Sequence, residues 1–356
     1  MLVAENEWAQ LFFRPGRSDY TLVTFNERGM VADGKTFWAQ ALADRLDINC
    51  YGIVSKGPNW FPFEPTGQLL SLVKSDRPIV TYGHSMGGYG AIKFSRALNA
   101  DVALAFCPQY SISPTDNDGQ DRRYAAYYRD KLHRNMRISP TDIGGRIFLF
   151  LDTKSRLDLL NVRKISRLHP ANIVDVPYTN HSTVRACASA SVFSQLMELV
   201  DQDSPSGLKK LLKASSRTTD TYYLNLAKAL FERKHVRAAN HCFEKHKSLA
   251  TTRNRSSVML EFRLQLEGGN VDAAGATVKH MLTRWSGRPE TYCQYAHWQM
   301  AAERWQDAQI TLGYVESRWP GFEPARIIMA RLRRKIPDRG ALLGRDRASP
   351  SSEDDD

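Results

Sequence analysis

The chain has 356 residues, 42% of them hydrophobic and 24% charged, a composition typical of globular proteins and a length that favours two domains. It contains no apolar run of about 18 residues, which argues against a transmembrane helix, and its acidic N-terminal MLVAENEWAQ is unlike a secretory signal peptide. The formal net charge is +11, with the larger basic excess in residues 201–356.

The basic second half has two interpretations. It is either a solvated surface that aids solubility or a surface that attracts an acidic partner, such as an anionic glycan, a phosphate-bearing lipid surface or a nucleic acid. No zinc finger or RNA-recognition motif is present, so no nucleic-acid partner is predicted. The five cysteines are widely spaced and form no CxxC pair, which predicts reduced, buried thiols in a cytoplasmic protein and no metal site.

Apolar and amphipathic segments alternate from residue 8 to about residue 200. The apolar segments are rich in β-branched and aromatic residues with little alternation, which is typical of strands buried on both faces of a parallel sheet. The predicted strands are residues 20–25, 50–54, 78–83, 101–106, 146–151 and 172–176, with 8–15 as a candidate edge strand. The predicted helices are residues 36–46, 66–73, 87–98, 157–168 and 182–200. This order predicts a doubly wound, mostly parallel α/β sheet in a first domain, residues 1–201.

Four other segments differ in composition from this alternating pattern. Residues 111–145 form a polar, Tyr- and Arg-rich insert after the fourth predicted strand. Residues 202–220 are rich in Ser, Thr and Lys, which predicts a linker. Residues 221–336 show only helical patterns and predict a second, all-α domain, while the acidic-ended tail at 337–356 is predicted to be disordered.

The all-α domain contains an internal repeat. Its three units share a turn followed by a helix that opens with small residues, with matching alanines at Ala239, Ala274 and Ala308, spaced 35 and 34 residues apart. Twelve residues upstream of these alanines lie Ala227, Phe262 and Ala296. This period resembles that of tetratricopeptide repeats. The resemblance implies paired helices that bind a protein partner.

The motif Gly83-His84-Ser85-Met86-Gly87 lies between a predicted strand and a predicted helix. A GxSxG turn in this position is the nucleophile elbow, in which the small glycines permit strained backbone angles at the serine. The helix N-terminus that follows favours an oxyanion. The alternative is a structural glycine-rich bend. The motif lacks the GK[ST] and GxGxxG patterns of nucleotide-binding loops, so no cofactor is predicted.

A nucleophilic serine needs a base, and the base needs an orienting acid, in the chain order Ser, acid, His. His181 follows the last predicted strand, which is the place of the base. Two acids follow the strand at 146–151. Asp152 is preferred because an acid that ends an apolar strand needs a partner, and Asp158 is the alternative, since it also fits the N-cap of the next helix.

The oxyanion hole is predicted from two backbone N–H groups. Met86 directly follows the nucleophile and supplies the first. Asn26, or Glu27 next to it, follows the first predicted central strand and is the candidate for the second.

These residues together resemble the α/β-hydrolase superfamily over residues 8–200, with the GHSMGG elbow as the specific part. The resemblance implies that the insert at 111–145 corresponds to a cap or lid, whose Tyr124, Tyr127 and Tyr128 would shape the acyl or leaving-group pocket. The chain differs from the usual pattern at the acid and the oxyanion loop, and it shows fewer strands than the eight of the full fold.

The sequence therefore predicts a serine hydrolase that cleaves a carboxylic ester or thioester through an acyl-enzyme on Ser85. Its substrate is expected to be a small or glycan-linked acyl ester. Two alternatives stay open. One is a non-enzymatic adaptor with a hydrolase-like scaffold, and the other is an acyltransferase that uses the same three side chains.

Overall fold

The computed structural model describes residues 1–335, and the tail predicted at 337–356 lies outside the described residues. Its first part is built around one eight-stranded sheet. The strands are β1 (Leu2–Glu5), β2 (Ala9–Arg14), β3 (Thr21–Phe25), β4 (Asn49–Ser55), β5 (Ile79–His84), β6 (Val102–Phe106), β7 (Arg146–Leu151) and β8 (Ala171–Asp175).

The strand order across the sheet is β1-β2-β4-β3-β5-β6-β7-β8. The six strands from β4 to β8 in this order are parallel, while β2 pairs antiparallel with both β1 and β4. The prediction of a mostly parallel α/β sheet is confirmed. Two details of it were wrong, because the sheet has eight strands and β2 is not its edge. The edge strand β1 has only four residues, LVAE, a run at the lower limit of length at which a strand can be recognised by its pattern.

Helices cover both faces of this sheet. Those up to residue 216 are α1 (Gln40–Leu46), α2 (Phe63–Leu70), α3 (Met86–Lys93), α4 (Arg156–Ser166), α5 (Ala190–Asp201) and α6 (Pro205–Ser216). One apolar core contains buried residues of α2, α3 and α4, and the core on the other face contains those of α1, α5 and α6. The strands between them are buried on both faces, as their continuous apolar runs predict.

The segment 202–220 is not the linker that its composition predicts. It contains α6, whose Leu208 and Leu212 are fully buried in the same core as α5. The Ser204 side chain caps this helix, and Pro205 occupies its first turn. Ser and Pro in these positions favour a helix start as much as they favour a loop, which explains the error.

The described chain divides into two compact units. The first comprises residues 1–226 and 245–249, and the second comprises residues 227–244 and the described residues from 250 onward. Seven helices lie between residue 219 and the end of the described residues. They are α7 (Asp220–Glu232), α8 (Val236–Leu249), α9 (Arg255–Glu267), α10 (Val271–Trp285), α11 (Pro289–Ala301), α12 (Trp305–Arg318) and α13 (Glu323–Arg333). The finer domain division that the sequence predicts stays a prediction.

The second unit repeats one pattern. The residues that define its period are fully buried, namely Ala227, Ala239, Phe262, Ala274, Ala296 and Ala308. The Thr277 hydroxyl donates to Gln265 Oε1 at 2.8 Å, and 34 residues later the Thr311 hydroxyl donates to Gln299 Oε1, also at 2.8 Å. The recurring hydrogen bond supports a helical repeat of this length. Its assignment as a tetratricopeptide repeat stays a prediction.

The structure also bears on the expectations about membrane-spanning helices and about the cysteines. Among the described residues, no helix is long and apolar enough to cross a membrane. All five cysteines are buried and free of disulfides, which agrees with the thiols that the sequence predicts. The cytoplasmic location inferred from them stays a prediction.

Candidate active site

Ser85 lies on a sharp turn between β5 and α3. Its backbone angles are φ 54° and ψ −115°, a strained conformation that costs on the order of 1–3 kcal/mol. The two flanking glycines are required by close approach. A Cβ at Gly83 would overlap the backbone of Gly87, and one at Gly87 would overlap the carbonyl of Phe25. The serine is therefore held on a tight strand-to-helix turn at the carboxyl end of a central strand.

Three side chains form a continuous line of hydrogen bonds at this turn. Ser85 Oγ lies 2.9 Å from His181 Nε2, and His181 Nδ1 lies 2.9 Å from Asp158 Oδ1. Asp158 is fully buried, whereas the His181 side chain is 27% exposed. The imidazole is therefore held at Nδ1 by the buried carboxylate, while Nε2 faces the serine in a partly exposed position. This is the arrangement in which a histidine can take and return a proton.

His181 lies in the short segment between β8 and α5. The sequence predicts one helix over 182–200, but the structure has a 3₁₀ helix, Asn180–Cys187, followed by α5, whose N-cap is Ser189. Asn180 has φ 49°, so the chain turns sharply just before the histidine. The kink lets His181 face Ser85 while α5 packs on the sheet.

The structure corrects the preferred acid. Asp152 does not pair with His181. Its carboxylate accepts the backbone N–H of Lys154 and that of Asn180, each at 3.0 Å. Asp152 thus ties the loop after β7 to the loop that carries His181. Its need for a partner, inferred from the sequence, is met by backbone groups.

Asp158, the alternative acid, is the residue that reaches His181. It is not the N-cap of α4, because Ser155 occupies that position. The Ser155 hydroxyl donates to Asp158 Oδ2 at 2.6 Å, and Arg123 donates to Asp158 Oδ1 at 2.8 Å. Burial alone raises the pKa of this carboxyl, but the hydrogen bonds and positive charge around it prevail and hold the pKa at about 2. Asp158 is therefore ionised at neutral pH.

The predicted oxyanion donors differ in their availability. The N–H of Met86 is the first of α3, where helix N–H groups have no acceptor within the helix. The N–H of Asn26 donates to the carbonyl of Ile53 at 3.2 Å, so Asn26 is not available as the second donor. The structure describes no hydrogen bond for the N–H of Glu27, which leaves this neighbouring residue as the candidate.

His84 connects the two loops on either side of the serine. Its Nδ1 lies 2.8 Å from Glu27 Oε2, and its Nε2 lies 2.7 Å from the carbonyl oxygen of His181. Each ring nitrogen of His84 therefore lies within hydrogen-bond distance of an oxygen, one from each loop. The hydrogen bond from His84 lowers the pKa of the Glu27 carboxyl despite its partial burial. The sequence analysis missed this role, which only the spatial contact reveals.

A second set of contacts encloses the serine oxygen. Gln109 Nε2 lies 3.4 Å from Ser85 Oγ, and Gln109 Oε1 accepts the indole N–H of Trp60 at 3.1 Å. The Trp60 ring packs on Tyr124 with centroids 4.9 Å apart, and the Tyr124 hydroxyl lies 3.2 Å from His181 Nε2. Gln109 and Trp60 gave no signal in the sequence, since a lone amide and a buried aromatic are common core residues.

The insert contributes only part of what the resemblance implies. Tyr124 reaches the site directly, and Tyr127 also packs on Trp60, with ring centroids 5.5 Å apart. Tyr128 instead stacks on His133 at 5.6 Å. Tyr128 therefore supports the insert rather than the neighbourhood of the serine.

The described residues offer one group with the composition of a metal site. Cys107, Asp158 and His181 place their ligand atoms within 4.8 Å of one another. However, Asp158 and His181 already bond each other, and burial raises the pKa of the Cys107 thiol. A neutral thiol is a poor metal ligand. Asp158 and His181 therefore fit the line of hydrogen bonds to Ser85 better than a metal centre with Cys107.

Comparisons with known proteins give limited information. No family model matches the chain, and no curated protein matches it. Among solved structures, it is similar to the capsule O-acetyltransferase of Neisseria meningitidis serogroup A, with 13% identity over 55% of this chain and 92% of that chain and a TM-score of 0.38. It is also similar to alpha/beta hydrolase domain-containing protein 10 from mouse, with 10% identity over 57% of this chain and 98% of that chain and a TM-score of 0.41. A protein of unknown function from Staphylococcus aureus is similar with 12% identity over 55% of this chain and 94% of that chain and a TM-score of 0.38.

These similarities assign no role to any residue. The strand order and the turn after β5 nevertheless make the first unit resemble an α/β hydrolase, and an all-helical region follows it. The chemistry has to be argued from the side chains themselves.

Proposed function

We propose that the protein is a serine hydrolase that cleaves a carboxylic ester or thioester through an acyl-enzyme on Ser85. The observation that supports this proposal most is the unbroken line of hydrogen bonds from Ser85 through His181 to Asp158 on a strained elbow. A glycine-rich bend with only a structural role has no need for a buried, ionised carboxylate aligned with a histidine behind its serine.

In the proposed acylation, Ser85 Oγ attacks the acyl carbon while His181 Nε2 takes the hydroxyl proton. Asp158 holds Nδ1–H and stabilises the imidazolium. The carbonyl oxygen becomes an oxyanion, for which Met86 and Glu27 offer backbone N–H groups. When the intermediate collapses, the bond to the leaving oxygen or sulfur breaks and His181 returns the proton to that atom.

Deacylation repeats these steps with a second nucleophile. His181 takes a proton from water, the hydroxide attacks the acyl carbon, and Ser85 leaves with the proton returned to Oγ. If the hydroxyl of an acceptor replaces water, the same residues perform acyl transfer, which we keep as the alternative activity. A small or glycan-linked acyl ester fits either reaction.

A fluorophosphonate probe tests the proposal, because it reacts covalently with activated serines. We expect the purified full chain to be labelled, Ser85→Ala to be unlabelled, and His181→Ala to be labelled at least 100-fold more slowly. Ser182→Ala is the matched control, since it changes the neighbour of His181 and leaves the three side chains in place. A folded wild type that is not labelled would support the adaptor alternative.

Hydrolysis and transfer are separated by the fate of the acyl group. A radiolabelled acetyl ester incubated with the protein releases acetate in the first case. In the second, the label appears on an added hydroxyl acceptor such as a disaccharide.

We also propose that the helical repeats of the second unit bind a protein partner. The buried repeat positions and the exposed Ile310 and Tyr314 of α12 support this. A test is to compare Ile310→Ser with the wild type in chemical crosslinking inside the producing cell. A pattern of crosslinked products that does not change would argue against binding at this face.

A further inference from the structure

Two hydroxyl groups face the same nitrogen of His181. Ser85 Oγ lies 2.9 Å from Nε2, and the Tyr124 hydroxyl oxygen lies 3.2 Å from it. Because Nδ1 donates its proton to Asp158, Nε2 has a single lone pair and accepts one strong hydrogen bond. The nucleophile requires that bond, so the tyrosine hydroxyl is free to serve another oxygen once a substrate is bound.

The position of that oxygen follows from the mechanism. Once Ser85 has attacked and the tetrahedral intermediate has formed, the proton on Nε2 must reach the leaving atom, which requires a separation of about 2.6–3.2 Å. The Tyr124 hydroxyl already lies at this distance from Nε2. A leaving oxygen that takes the proton therefore approaches the same nitrogen that the Tyr124 hydroxyl faces.

We propose that the Tyr124 hydroxyl donates a hydrogen bond to the leaving oxygen as the acyl bond breaks. This inference depends on the proposed function. His181 supplies the proton that neutralises the leaving group, and Tyr124 keeps its own, so the step balances without another co-reactant. In deacylation, the same hydroxyl holds the attacking water or acceptor hydroxyl beside Nε2. Tyr124 thereby favours oxygen esters of alcohols that leave poorly.

The surroundings of Tyr124 fix the place of its hydroxyl. One face of the ring packs on the buried Trp60, and the Arg123 guanidinium lies 5.5 Å from the ring centroid. Arg123 is itself held by Asp121 and Asp158, both at 2.8 Å. A donor held in advance at the place where charge develops stabilises a transition state without reorganisation.

The test is the dependence of rate on the leaving group. Esters that share one acyl group and range from a nitrophenol to a simple alkyl alcohol are compared in wild type and Tyr124→Phe. For the alkyl esters, we expect kcat/KM to fall about 10- to 100-fold in the variant, the effect of one hydrogen bond to a developing charge. For the nitrophenyl ester, which needs little assistance, we expect less than a 3-fold change.

Tyr127→Phe is the matched control. Its ring packs on the same Trp60, but its hydroxyl accepts a hydrogen bond from Arg28 at 3.2 Å. We therefore expect the plot of log kcat/KM against leaving-group pKa to have the same slope as that of the wild type. Equal slopes in wild type and Tyr124→Phe would overturn the inference. If the wild type neither hydrolyses any ester nor reacts with fluorophosphonate, the proposed function fails instead.

A second variant keeps the test informative should Tyr124→Phe fail to fold. Replacement of Tyr124 by 3-fluorotyrosine retains the ring and strengthens the hydroxyl as a donor. We expect a shallower dependence on the leaving group, and an unchanged slope would contradict the proposed role.

Discussion

Asp158→Asn removes one negative charge from the proposed triad and almost preserves the shape of the side chain. The asparagine oxygen can still accept from Arg123, and its amide group can still meet the Ser155 hydroxyl. The lost element is the stabilisation of a positive His181. In the flipped orientation, which gives up the hydrogen bond from Arg123, the amide group can instead bind the histidine in the wrong tautomer, with the proton on the nitrogen that faces Ser85.

The size of the effect follows from the distance between the charges. The nearest atoms of Asp158 and His181 are 2.9 Å apart, which places the centres of the two delocalised charges about 4 Å apart. At an effective dielectric constant of about 20, this separation corresponds to about 4 kcal/mol. If the full amount is lost in the transition state, kcat falls by about 1,000-fold.

The assay is the rate of fluorophosphonate labelling together with the turnover of a nitrophenyl ester. Asp152→Asn is the matched control, because it makes the same change to a buried aspartate that follows the same strand. We expect that control to lose less than about 10-fold in rate, since the Asp152 carboxylate accepts its hydrogen bonds from the backbone N–H groups of Lys154 and Asn180. If Asp152→Asn is the slower of the two variants, the assignment of the acid is refuted.

Two further results are expected. His84→Ala should slow fluorophosphonate labelling about 10- to 100-fold, because the loops of Glu27 and His181 lose the side chain that connects them. His133→Ala is the control. It removes a buried histidine that is bonded to backbone groups, and it should lower the free energy of unfolding without changing the labelling rate. The second result concerns pH. The folded pKa of Asp158, about 2, lies below its ordinary value of 3.8, so its stabilisation of about 2 kcal/mol is complete above about pH 5 and about half of it is lost by pH 3. Urea unfolding should show the gap between wild type and Asp158→Asn narrowing as the pH falls, and a gap that widens would contradict this reasoning.

The central sheet was predictable because its buried strands are continuous apolar runs in the sequence. An uninterrupted run such as residues 146–151 has no polar side to expose, so it must lie between two helical layers. The exposed Leu2–Glu5 and the helix Pro205–Ser216 were not predicted. The first is only four residues long, too short for a clear pattern, and the second begins with residues that are as common in loops as at helix starts.

The site shows the same division between local and spatial information. Ser85 and His181 are marked by their place directly after strands, where the chain must turn. The acid is not, because both Asp152 and Asp158 follow the same strand. The two residues that distinguish them, Asn180 for Asp152 and His181 for Asp158, lie on a loop 23 or more residues further along the chain. Only the path of that loop decides which carboxylate meets the imidazole and which meets backbone N–H groups.

The insert explains why a carboxylate in the first turn of a helix can serve this site. Asp158 Oδ1 accepts from both His181 and Arg123, and the next residue of the insert, Tyr124, faces the other nitrogen of the same imidazole. A buried carboxylate with one neutral partner would tend to take up a proton. Hydrogen bonding to His181 and the positive charge of Arg123 together outweigh burial and hold the pKa of Asp158 low, so the carboxylate stays charged and able to orient the histidine. Because Arg123 and Tyr124 are adjacent, folding of the insert brings the charge to the acid and the hydroxyl to the base in one step.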